Sequence, residues 1–167
     1  MNDAKHRRTN WEPYCVDLSN TWRISTDINP VWKSILHNLD CAKSYGRWSQ
    51  PGAWTDLDLM EIDIGSFEYS TFHPTGSGSA EQRARRLLMN EAHFAIWSIL
   101  SAPLIVGMDL RNVSTEIVDL VTNELAVAVN QNYLDHGGDV ITEFDITDRL
   151  QREGGHFIML SDCKSVR

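Results

Sequence analysis

Polar residues able to do chemistry gather at three places, each at or just after the end of an apolar run: Arg23 with Asp27, Asp56 with Asp58, and Asp109 with Arg111. If the three runs are parallel strands, the clusters share one rim, because each strand–helix repeat returns the chain to the same end of the sheet. Two carboxylates on one rim are what glycoside hydrolysis requires: one protonates the leaving oxygen while the other attacks the anomeric carbon or activates water. Residue type and spacing do not select that chemistry by themselves. Asp27 lies just before Asn29-Pro30, a helix-start signal, where a carboxylate is more often a cap or a solvated charge. The acidic run Asp56, Asp58, Glu61 and Asp63 raises calcium binding, but the EF-hand template needs glycine where Glu61 stands and a ligand where Met60 stands. No metal site is expected, and no cofactor. His93 has no serine or cysteine partner motif nearby and reads as a packed core histidine. Asp109 and Arg111 read as a structural ion pair at the rim.

The elements that must position these residues are legible in periodicity and caps. Asn29-Pro30 reads as an N-cap followed by proline in the first turn, and Trp32, Ile35, Leu36 and Leu39 fall at i, i+3, i+4 and i+7, so a helix is predicted over residues 30–43. Ser79 and Gln82 have capping-box spacing ahead of the stripe Leu88, Ala92, Ala95, Ile96 and Ile99, and Pro103 ends that helix. A third helix is expected from Ser114 as N-cap, with Glu116 in its first turn, to about residue 124. Strands are expected at 22–28, 54–62 and 104–107, the last apolar on both faces, as a parallel strand covered by helices must be. Strands alternating with helices predict an α/β chain built on a parallel sheet. A Gly/Ser/Thr-rich loop, residues 70–79, interrupts the second unit. After Asn130 the pairs Gly137-Gly138 and Gly154-Gly155 flank the stretch 140–144 (Val-Ile-Thr-Glu-Phe), and 157–160 follows, which reads as the opening of an antiparallel β segment.

Bulk composition narrows the partners. Of 167 residues, 42% are hydrophobic and 23% charged, ordinary for a chain that folds. A net charge of −8 argues against a nucleic-acid partner, which needs a basic surface; the run Lys5-His6-Arg7-Arg8 reads as a solvated terminus. The longest apolar stretch, 94–107, is broken by Ser98, Ser101 and Pro103, so no membrane partner is expected. No secretory signal is readable, which leaves the compartment undetermined by the residues themselves. Cys15, Cys41 and Cys163 have neither disulfide-framework nor zinc-ligand spacing. They read as buried hydrophobes or, for Cys15, as half of a disulfide with an upstream partner.

Seven stretches in order carry a family likeness: 22–28 (Trp-Arg-Ile-Ser-Thr-Asp-Ile), Trp32 with Ser34-Ile35, 51–59 (Pro-Gly-Ala-Trp-Thr-Asp-Leu-Asp-Leu), 93–98, 102–105, 109–112 and 128–131. Over residues 11–140 the chain resembles the α-galactosidases of glycoside hydrolase family 27, the melibiase-like enzymes. The resemblance implies the last three βα units of a (β/α)8 TIM barrel, over residues 1–136, with 137–167 as the beginning of a C-terminal antiparallel β domain or an irregular tail. It implies hydrolysis of terminal α-D-galactosyl residues by a retaining two-carboxylate mechanism, on an oligosaccharide or glycoconjugate, in a secreted or lysosomal/vacuolar setting. The resemblance makes Asp27 the general acid/base, a role that needs a raised pKa. It makes Arg23 and Asp58 contacts to the hydroxyl next to the anomeric carbon, and Trp11 similar to the tryptophan lining the sugar pocket. Ala53, Thr55, Leu57 and Leu59 depart from the family's usual Gly, Asn, Pro and Met and are expected to reshape the rim; the loop 64–79 is longer than usual, and Asn132 replaces a more frequent Asp.

The family's nucleophile is an aspartate at the end of the fourth strand, and this chain is expected to begin near the end of the fifth. A fragment, inactive alone, is the expectation. Two other readings stay open: a related specificity (α-N-acetylgalactosaminidase or β-L-arabinopyranosidase), and a non-catalytic sugar-binding remnant.

Overall fold

The computed structural model describes residues 12–43, 45–64, 79–133, 137–145 and 156–161. Helix α1 (Glu12–Leu18) leads into strand β1 (Thr21–Arg23), helix α2 (Trp32–Ala42), a 3₁₀ turn (Gly46–Trp48) and strand β2 (Trp54–Asp56). Helix α3 (Ala80–Ile99), a second 3₁₀ turn (Leu110–Asn112), helices α4 (Thr115–Val121) and α5 (Glu124–Gln131) and strands β3 (Asp139–Asp145) and β4 (His156–Ser161) complete the order. This is the expected α/β alternation.

Strands β1 and β2 pair in parallel, Thr21 opposite Trp54 and Arg23 opposite Asp56. Beyond β2, Met60 bridges Val106 in parallel: its N–H donates to the Ile105 carbonyl at 2.7 Å and its own carbonyl accepts from Gly107 at 2.9 Å. Three stretches thus run side by side in the predicted direction. They are shorter than the sequence suggests: 22–28 contracts to three residues, 54–62 breaks at Asp58 (φ 83°), and 104–107 forms one bridge. Ile105 is 57% exposed, not covered on both faces.

The core lies between the helices and this sheet. Ile35 and Leu39 of α2, Leu57, Met60 and Ile62 after β2, and Trp97 of α3 are fully buried, with Phe94 beside them. The 3.6-residue stripe of α2 and the inward side chains of the β2 extension therefore share one apolar layer, whose removal from water is the main favourable contribution to folding.

Helix starts follow local chemistry with two corrections. Ser79 and Gln82 form the expected capping box: the Ser79 hydroxyl accepts from the Gln82 N–H at 3.2 Å and the Gln82 side chain from the Ser79 N–H at 2.7 Å. Ser79→Ala should cost about 1 kcal/mol, read as a lower denaturant midpoint with unchanged slope; no change would remove the box from the account. For α2 the cap falls later. Val31 is extended (φ −135°, ψ 143°) and caps without a side chain, while the Asn29 N–H donates to Ser34 Oγ at 2.9 Å. The cap thus falls two residues past Asn29, with Trp32 as the first helical residue. The third helix stops at Val121, and Asn123, accepting from the Ala126 N–H at 3.0 Å, opens α5 as a separate helix. Helix α1 was unforeseen in the sequence.

The glycine pair 137–138 docks where no side chain fits. The Gly137 N–H donates to the Gly46 carbonyl at 3.0 Å, and the Gly138 N–H to the Ile99 carbonyl at 3.1 Å. A Cβ on Gly46 would lie 2.7 Å from the Gly137 oxygen, and one on Gly138 would overlap the Ile99 carbonyl. From there β3 pairs antiparallel with β4, Asp139 opposite Ser161 and Asp145 opposite His156, with an irregularity between Val140 and Thr142.

Candidate active site

The parallel register sets Arg23 opposite Asp56 at the C-terminal ends of β1 and β2, the end at which α/β sheets carry their chemistry. Two residues later the backbone turns through the left-handed conformation at Asp58, φ 83°, a strained geometry for a residue other than glycine. Three contacts hold the turn. The Asp58 N–H donates to Asp56 Oδ1 at 2.8 Å, the Leu59 N–H to Asp58 Oδ1 at 2.8 Å, and the Trp97 indole N–H to the Asp58 carbonyl at 2.8 Å.

So fixed, the Asp58 carboxylate reaches back across the strands. Its Oδ2 accepts the Ile28 N–H at 2.9 Å and pairs with Arg23 Nη2 at 2.8 Å. The same Nη2 lies 3.4 Å from Asp27 Oδ1. Exposure separates the two acids: the Asp58 side chain is 13% exposed and that of Asp27 98%, with Arg23 between them at 37%. Asp58 and Arg23 form a part-buried, backbone-anchored pair, while Asp27 is a solvent-facing carboxylate on a long contact. A fixed donor and acceptor beside a solvent-facing carboxyl can hold a polyhydroxylated ligand and exchange a proton with it.

Three of the four residues singled out in the sequence, Arg23, Asp27 and Asp58, therefore meet in space. Trp11 lies outside the described residues. Trp97 was missed as a support, and Asp56, named in the sequence at the end of its run, was not given the supporting role it has. A signal for Trp97 existed, since an indole N–H on a buried helical stripe must find an acceptor. Of the four departures in the 51–59 motif, Ala53, Thr55 and Leu57 are buried, with the Thr55 hydroxyl 2.7 Å from that of Ser49, and only Leu59 is partly exposed. Their effect falls on packing beneath the rim, and only Leu59 can touch it.

Behind the turn, His93 is buried, edge-on to Trp97 with ring centres 4.2 Å apart, and its Nε2 has no partner among the described residues. Burial lowers its pKa from 6.5 to about 4. The unfolded chain thus takes up a proton that the folded one refuses, so stability is complete above pH 6.5 and is lost as pH falls towards 4. The loss should reach about 3 kcal/mol, from about 1.4 kcal/mol per pKa unit. Urea titrations across that window should show a shallower decline for His93→Gln; parallel curves would sink the assignment.

Asp109 and Arg111 form an exposed fork, Arg111 Nε to Oδ1 and Nη2 to Oδ2 both at 2.8 Å, and these hydrogen bonds hold the Asp109 carboxyl below its usual range. Cys15 and Cys41 are free thiols, Cys41 pushed up by burial and by the charge of Asp40; Cys163 lies outside the described residues. Among the described residues no group of His, Cys, Asp or Glu could hold a metal ion.

Known proteins resemble the chain over most of its length. The family model described as Alpha galactosidase A matches residues 2–132. Alpha-galactosidase 3 of Arabidopsis thaliana is 30% identical over 118 residues, 71% of this chain and 23% of that protein. The chain therefore spans about a quarter of that curated relative's length. A structure of the α-galactosidase from Saccharomyces cerevisiae with raffinose superposes with a TM-score of 0.67 at 19% identity, over 90% of this chain and 34% of the other. A GH27 β-L-arabinopyranosidase from Geobacillus stearothermophilus with arabinose gives 0.61 at 21%, over 78% and 29%. At these identities the two likenesses speak for the TIM-barrel fold alone.

Proposed function

Since the chain belongs to the α-galactosidase A family, glycoside hydrolase family 27, we propose that the complete protein cleaves terminal α-D-galactosyl residues from oligosaccharides or glycoconjugates with retention of configuration. The observation that supports it is the bridging of Asp58 and Asp27 by one guanidinium group. Asp27 is the acid/base: its exposure leaves room for a leaving group, which it protonates before deprotonating the attacking water. Arg23 and Asp58 hold the hydroxyl beside the anomeric carbon, and Trp11 lines the pocket. The second carboxylate, the nucleophile, belongs to a strand outside this chain, about 5 Å from Asp27 in a retaining site. Residues 1–136 then make up the last three βα units of the barrel, and 137–167 begin a C-terminal β domain.

The test takes the purified chain alone and then combined with the N-terminal barrel portion of a family member. The chain alone should leave an aryl α-galactoside intact, and the combination should hydrolyse it. Ordinary turnover by the chain alone would refute the need for a second carboxylate from elsewhere. Parallel assays with an aryl β-L-arabinopyranoside address the specificity to which the second structural likeness points. A preference for that substrate would move the assignment to the related activity on the same scaffold.

A further inference from the structure

Asp58 reaches its partners from an unfavourable backbone conformation. Its φ of 83° lies in the left-handed region, which a residue with a Cβ keeps only when its surroundings compensate. Both ends of the peptide unit entering Asp58 are held: the Leu57 carbonyl accepts from Asn38 Nδ2 of α2 at 2.8 Å, and the Asp58 N–H donates to Asp56 Oδ1 at 2.8 Å. The first of these bonds is buried and keeps the peptide from turning over. Relaxation of φ must therefore rotate the Asp58 Cα itself. That rotation carries the carboxylate away from the Ile28 N–H and Arg23 Nη2, which Oδ2 meets at 2.9 and 2.8 Å. Trp97 holds the carbonyl leaving Asp58, whereas Asp56 holds the N–H entering it. Asp56 is a fixed reference for that N–H, because it ends β2 opposite Arg23 and its own carbonyl accepts the Ile24 N–H at 3.1 Å.

We propose that Asp56 is a positioning residue: by accepting the Asp58 N–H it keeps Asp58 left-handed and so aims the Asp58 carboxylate at Arg23 and Ile28. The requirement is for an acceptor oxygen, not for a charge. Asparagine offers the same oxygen at the same reach and closes the same side-chain turn onto the N–H two residues on. Alanine offers none. The consequence for a sugar rests on the reading of Arg23 and Asp58 as contacts to the hydroxyl beside the anomeric carbon. The aim of the carboxylate does not rest on it.

The test follows amide hydrogen exchange by NMR in the full 167-residue chain, unmodified and as Asp56→Ala and Asp56→Asn. The Ile28 amide reports where the Asp58 carboxylate stands, since Oδ2 is its acceptor. In Asp56→Ala its exchange should quicken about tenfold or more, the scale of one charge-assisted hydrogen bond, while amides in the body of α3 stay protected. Asp56→Asn should restore the Ile28 protection. In the hydrolytic combination with the N-terminal barrel portion, kcat/KM should follow the same order, falling about tenfold or more in Asp56→Ala and returning in Asp56→Asn. An Ile28 amide as protected in folded Asp56→Ala as in the parent, or exposed equally by Asp56→Asn, overturns the proposal. Should Asp56→Ala not fold, the scalar coupling across the hydrogen bond from Asp58 ¹⁵N to Asp56 ¹³Cγ in the unmodified chain decides: it is expected, and its absence overturns the role. The amide and coupling measurements need no substrate, so the inference and the galactosidase reading fail separately.

Discussion

Replacing Asp27 with Asn is expected to slow hydrolysis of an unactivated α-galactoside by about 10²- to 10⁴-fold in the complete protein, the usual contribution of a positioned general acid/base. The expected pattern across substrates is sharper than the magnitude. A leaving group that departs without protonation, such as a dinitrophenolate, bypasses the first role proposed for Asp27, so glycosylation should be almost unaffected. Breakdown of the glycosyl-enzyme still needs the base, so a burst followed by slow turnover should appear. The side chain is 98% exposed and, among the described residues, pairs with Arg23 at 3.4 Å. Stability should accordingly change by no more than about 0.5 kcal/mol, as for surface substitutions generally. Unchanged turnover of unactivated substrate in a folded Asp27→Asn protein would remove Asp27 from the mechanism.

The second large effect is expected at Trp97, which joins the core to the site. It is fully buried, stacks edge-on against His93 and donates to the Asp58 carbonyl at 2.8 Å. Trp97→Ala should cost about 3–5 kcal/mol, from lost burial and the cavity left behind. Trp97→Phe keeps most of the apolar volume and removes the donor, for about 1–3 kcal/mol if the carbonyl is left dry. Urea unfolding of the two variants separates these contributions. Because that hydrogen bond holds the strained Asp58 turn, Trp97→Phe should also raise KM for the galactoside more than it lowers kcat. A Trp97→Ala chain as stable as the parent would mean that α3 does not anchor the turn.

What the sequence determined by itself was local. Residues within four positions of one another set the body of α2, the capping box of α3 and the cap at Ser114, because helix hydrogen bonds and stripes close over that range. The α/β alternation followed from those elements, and ordered motifs, not spacing, singled out Arg23, Asp27 and Asp58. Only the tertiary structure decided where the strands stop, because strand pairing depends on partners far along the chain: β2 ends at the left-handed Asp58, and Ile105 stays exposed beside a single bridge. It also set apart the surroundings of the three proposed site residues. From sequence Asp27 and Asp58 are equivalent acids near apolar runs. Folding gives Asp58 two backbone N–H donors and most of the Arg23 charge, and leaves Asp27 in solvent. That inequality arises because β1 and β2, distant in sequence, pair in parallel with Arg23 opposite Asp56 and set Arg23 within 2.8 Å of one carboxylate and 3.4 Å of the other.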